Sequence, residues 1–128
     1  MRRLHLLIGI AGTIAFILTG QYMDRWLGHL AGMADLPRMI YRSGHIYLLL
    51  ASLLNLALGL YVTDDVVGWR RWVRLVGSAL VLIAPVLFLA GFASEPARTD
   101  FERPFAGPAI YGSFAGMLLH LIAKKPSA

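Results

Sequence analysis

Four stretches of this chain, residues 4–23, 43–63, 75–94 and 104–123, run for twenty residues or more without one Asp, Glu, Lys or Arg. A helix rising about 1.5 Å per residue needs roughly 20 residues to cross about 30 Å of hydrocarbon, and a strand needs far fewer. The bilayer core offers no water, so each stretch must close its own backbone hydrogen bonds as a helix. The expected fold is all-α: an antiparallel four-helix membrane bundle, one domain over residues 1–128. Composition agrees. Of 128 residues, 58% are apolar and 15% charged, against about 25% charged in a soluble domain.

Lys and Arg in short loops set orientation. With the N-terminus inside, Arg2, Arg3, Arg70, Arg71, Arg74, Lys124 and Lys125 lie inside, and Arg25, Arg38, Arg42, Arg98 and Arg103 outside. Seven against five places both termini in the cytoplasm, and the localisation expected is the bacterial inner membrane, multi-pass. Trp69 and Trp72 among the inner arginines and Trp26 outside suit aromatic belts. Met1-Arg2-Arg3 before an apolar run has the look of a signal peptide. No A-x-A site follows, and Gln21 stands where a lipoprotein box needs cysteine, so span one is expected to be retained.

Several functions are excluded early. The chain has no cysteine, which removes disulfides, thiolate metal sites and cysteine nucleophiles. Its net charge of +5 is distributed over the span ends rather than gathered on one soluble face, so no nucleic-acid partner is expected. No phosphate loop, HExxH or G-x-S-x-G occurs. Glu95, Asp100 and Glu102 alternate with Arg98 and Arg103, which reads as compensating loop charge. The outer segment 24–38 is long enough for a short interfacial helix carrying Trp26, Leu27, Leu30 and Met33. Asp64, Asp65 and Gly68 mark a tight inner turn, residues 124–128 a frayed tail, and Pro85 a kink in span three.

Ionisable and strongly polar residues inside a membrane are costly, and each is a candidate for function. His5 opens span one and His120 closes span four, at the same inner level. At 100° per residue His5, Gly9, Gly12, Phe16 and Thr19 share a face of span one, and Gly112, Gly116 and His120 share one of span four. Two imidazoles beside glycine-lined grooves suit haem b between spans one and four. His5 and His120 would be the axial ligands, with Gly9, Gly12, Gly112 and Gly116 lining the ring and Arg74 meeting a propionate. The plainer account is close helix packing through small-xxx-small faces.

Span two carries a polar stripe of Arg42, His45, Ser52 and Asn55, with Gly59 on the same face. It is expected to face the bundle and to serve a quinone or a proton, or else to tie helices together. Met23, His29, Met33, Met39 and His45 crowd the outer segment, where thioether and imidazole suit copper(I), but in no compact ligand spacing.

The strings Arg42-Ser43-Gly44-His45-Ile46-Tyr47, Asn55-Leu56, Leu4-His5 and Thr19-Gly20-Gln21-Tyr22-Met23 resemble a group of small bacterial four-helix inner-membrane proteins. The layout is also loosely similar to copper-resistance D-like proteins and to membrane-bound protoporphyrinogen oxidases of the HemJ type. That resemblance rests on His5 at the start of span one and implies a haem-associated role. The oxidases' tryptophan-rich motif and lysine partner are absent here, so no catalytic residue is carried over.

The leading expectation is a small b-type haem protein for electron transfer or redox sensing, working with a quinone or a respiratory complex. One alternative is a non-catalytic accessory or scaffold subunit of a membrane complex. Another is a small transporter or channel, a homo-oligomer lined by the span-two stripe.

Overall fold

The computed structural model describes residues 1–62 and 66–124. They form four long helices, α1 (Arg2–Arg25), α2 (Asp35–Tyr61), α3 (Trp69–Ser94) and α4 (Ala106–Ala123), with no strand among the described residues. All four are long and apolar enough to cross a membrane. The expected turn at Asp64 and Asp65 and most of the expected tail lie outside the described residues.

α1, α2 and α3 begin before their charge-free stretches, where polar groups are cheap, while α4 stays within its own. α2 starts at Asp35, eight residues before its charge-free run, with Pro37 and Arg38 already in it. Pro37 costs nothing there, because first-turn N–H groups have no partner inside a helix. Asp35 also suits the positive end of the helix dipole. The segment between α1 and α2 is not the interfacial helix expected. It holds a single 3₁₀ turn, Gly28–Leu30, in which Gly28, His29 and Leu30 all have positive φ. Three successive left-handed residues cannot propagate a helix. The turn tucks Leu30 under the bundle, where it is buried, and leaves Trp26 outside.

Two helical hairpins make the bundle. α1 packs along α2 and α4 along α3, while α2 and α3 join the hairpins; α1 and α4 scarcely approach one another. Glycine sets both close seams. A Cβ on Gly9 would lie 2.9 Å from the backbone nitrogen of Leu56, and one on Gly59 would lie 2.9 Å from that of Leu6. In the other hairpin Gly77 and Gly116 face each other, each 2.7–2.8 Å from the other's carbonyl oxygen if given a Cβ. Such small-residue contacts let backbones approach without a hydrophobic driving force between helices. An apolar layer of Leu48, Ala51, Ala84 and Phe88, with Ala15 and Phe16 against it, fills the middle.

Candidate functional site

The polar residues gather at the two ends of the bundle, on either side of that layer. At the end bearing both termini, His5, Asn55, Ser78 and His120 converge, one from each helix. All four are buried. The centroids of the His5 and His120 rings are 6.2 Å apart, with the rings inclined at 72°. The two histidines meet through their side chains across the bundle, although their helices do not pack.

Pro85 explains how this end is held. It has no N–H, so the carbonyl of Val81, four residues earlier, loses its helical donor. The Asn55 side chain supplies one: Nδ2 donates to Val81 O at 2.9 Å and to Ala51 O at 2.9 Å. Both amide hydrogens are then engaged, so the atom facing His5 is Oδ1, an acceptor. His5 Nδ1 lies 2.8 Å from it and must carry the proton. That assignment comes from the hydrogen-bond network rather than from observed hydrogens. It leaves the Nε2 lone pair of His5 bare, and that atom is buried without a hydrogen-bond partner. Metal-ligating histidines are commonly fixed this way, the second ring nitrogen donating to an oxygen. His120 Nε2 makes a 3.2 Å contact with Ser78 Oγ. Arg74, one turn before Ser78 on α3, lines an open pocket of about 420 Å³ with Met1, Val66, Val67, Arg71 and Leu75.

The glycines are placed differently from what a ring slot requires. Gly9 faces Leu56, Gly12 faces Ser52 and Pro85, and Gly116 faces Gly77 and Val81. All three serve packing against α2 or α3 rather than a gap between α1 and α4. Gly112 makes only an ordinary contact with Leu80.

The span-two stripe divides. Ser52 and Asn55 are fully buried, His45 is half-buried and Arg42 exposed. Between His45 and Ser52 along α2, Leu48 is buried in the apolar layer.

At the far end, Thr19 Oγ1 donates to Phe16 O at 2.9 Å and lies 2.9 Å from His45 Nδ1. With its one hydrogen committed, the hydroxyl accepts from His45 Nδ1–H. The His45 ring stacks on Phe16, centroids 4.0 Å apart. Arg42, His45, Gly20, Met23, Asp24, His29 and Leu30 line a pocket of about 380 Å³, and Asp24 holds His29 at 2.7 Å. Met33 and Met39, from the expected copper set, are not among its lining residues, and no group of three His, Cys, Asp or Glu among the described residues is placed to hold a metal.

Glu95 pairs with Arg103, as compensating loop charge should, but it does so inside the fold, where it is fully buried. Its Oε1 accepts from the backbone N–H groups of Phe105 and Ala106 at 3.0 and 2.9 Å. Its Oε2 takes Arg103 Nε at 2.9 Å. Arg103 also reaches Ser43 Oγ at 2.7 Å. Thus one carboxylate caps the positive N-terminus of α4 and ties it to α2. Asp100 and Glu102 do behave as surface charge, paired with Arg98.

No protein-family model, curated protein or solved structure matches the chain.

Proposed function

We propose that the chain is a small multi-pass protein of the bacterial inner membrane, both termini cytoplasmic, carrying a b-type haem for electron transfer or redox sensing. The observation that carries this reading is His5: buried, locked as the Nδ1–H tautomer by Asn55, with a bare Nε2 lone pair beside His120. The His5 and His120 rings lie with centroids 6.2 Å apart, which brings two imidazoles to one place in the fold. His5 and His120 would hold the iron, and Arg74 and Arg71 would receive the propionates. A bound haem supplies a one-electron iron couple whose potential the axial ligands and burial tune.

The glycine faces are filled by α2 and α3, so the ring has no ready-made slot. His5 and His120 would hold the group where α1 and α4 scarcely approach one another.

The test is the visible spectrum of protein purified in mild detergent after expression with ample haem. A Soret band with sharp reduced α and β bands, lost in both His5→Ala and His120→Ala, is expected. A colourless wild-type preparation overturns the reading and leaves the accessory-subunit alternative, which copurification with fixed partners would then test.

A further inference from the structure

A second cavity lies at the far end, between α1, α2 and α3. It has a volume of about 370 Å³ and is lined by Thr19, Tyr22, Tyr41 and Phe92 with small and aliphatic neighbours. That volume is in the range of sites for small organic ligands. Leu18 and Leu89 of its lining are 62% and 41% exposed, on the apolar outer faces of α1 and α3. In a membrane-spanning bundle such exposed leucines face acyl chains, so a ligand would arrive from the lipid phase.

The lining is more specific than a lipid tail requires. Tyr22 and Tyr41 both stand edge-on to Phe92, with centroids 6.3 and 5.1 Å away and interplanar angles of 71° and 69°. Three rings so arranged offer faces and edges to a planar partner. Three hydroxyls line the cavity, those of Thr19, Tyr22 and Tyr41, and of these Thr19 is buried, only 6% exposed. A hydroxyl has one donor and two acceptor lone pairs. The Thr19 hydrogen goes to Phe16 O and one lone pair takes the His45 N–H. What remains on Thr19 is a single acceptor, which suits an incoming O–H, while the Tyr22 and Tyr41 hydroxyls can donate to the ligand's other oxygen.

We infer that this cavity binds the hydroxyl-bearing ring of a membrane-soluble hydroquinone or phenol, its O–H donated to Thr19, whose hydroxyl His45 holds in position from behind. The inference rests on the membrane part of the function proposed above and is independent of the haem.

The test is equilibrium binding by calorimetry to protein in lipid nanodiscs, with decyl-benzohydroquinone under anaerobic reducing conditions as the probe. Decyl-benzoquinone and decylbenzene serve as comparisons. The hydroquinone should bind tightest. Thr19→Val should weaken it by about fivefold, the loss of one hydrogen bond, while Thr19→Ser retains it. Ala93→Phe fills the cavity without touching these hydrogen bonds and should abolish binding, which keeps the test decisive if Thr19→Val does not fold. Equal affinity for decylbenzene, an unaffected Thr19→Val protein, or unaffected binding in Ala93→Phe would each overturn the inference. Binding should also persist in His5→Ala, so its failure is distinguishable from failure of the haem reading. Recovery of the chain in nanodiscs checks the membrane part separately.

Discussion

Replacing Asn55 by alanine removes the group that compensates for Pro85, and its cost follows from the bonds described. The interhelical hydrogen bonds to Val81 O and His5 Nδ1 average about 0.6 kcal/mol each in membrane proteins. Their loss also leaves two buried partners unsatisfied, at about 1–3 kcal/mol for each orphaned group. Because neighbours relax, a total of about 2–4 kcal/mol is expected. The informative variant is Pro85→Ala, which restores an N–H for Val81 O. In the wild-type background it should change little, since Asn55 already supplies a donor. In the Asn55→Ala background it should recover about 1–2 kcal/mol, a coupling that a double-mutant cycle isolates. Reversible unfolding in mixed detergent micelles gives all four stabilities. Strict additivity of the two substitutions would refute the link between Pro85 and Asn55, and with it the argument that fixes the His5 tautomer.

Other substitutions probe the remaining features. Gly116→Ala sets a Cβ 2.7 Å from the Gly77 carbonyl oxygen and 2.6 Å from Val81, and should destabilise by about 1–3 kcal/mol in the same assay. Glu95→Leu should cost about 3 kcal/mol or more, because Arg103 loses its buried counter-charge. Limited proteolysis should then cut residues 96–105 first, and intact wild-type resistance there would contradict the capping role. The hydrogen bond from Arg98, together with its charge, lowers the Asp100 pKa below the usual aspartate value. The folded protein therefore holds the carboxylate charged to lower pH than the unfolded chain. The bridge's contribution is present above the ordinary aspartate range and lost as pH falls through the lowered value. Carboxyl NMR titration should find the Asp100 midpoint below that of an unperturbed aspartate, and Arg98→Ala should return it.

How much of this was legible in the sequence depends on the kind of interaction. The four helices are written in charge-free runs, because hydrocarbon penalises every ionised side chain. The early start of α2 was not, since Asp35, Arg38 and Arg42 interrupt the run without interrupting the helix. The equal depth of His5 and His120 follows from their places at the ends of spans one and four, and the structure brings their rings together. Their partners were harder. Asn55 could be placed on a face of α2, but its bond to Val81 depends on which helix α2 meets and on a carbonyl freed by Pro85. Only the Pro85 half of that pair is visible in sequence. Gly9 and Gly116 were legible as close-packing residues, but their partners were not: Gly9 and Gly59 join α1 to α2, and Gly77 and Gly116 join α3 to α4. Glu95 was legible as a charge compensated by its loop neighbours, but not as a buried one. That its carboxylate turns inward to the start of α4 is a tertiary fact.

The division into two glycine-seamed hairpins has a consequence for biogenesis. α1 and α2 complete their reciprocal contacts, Gly9 with Leu56 and Leu6 with Gly59, entirely within the first half of the chain. This pair can therefore settle in the bilayer before α3 leaves the ribosome, and α3 and α4 can do the same after it. The halves are joined by the apolar layer of Leu48, Ala51, Ala84 and Phe88 and by a few polar contacts, Asn55 with Val81 and Arg103 with Ser43. Assembly thus ends with the docking of two finished units, and the polar groups then decide whether that last step happened in register.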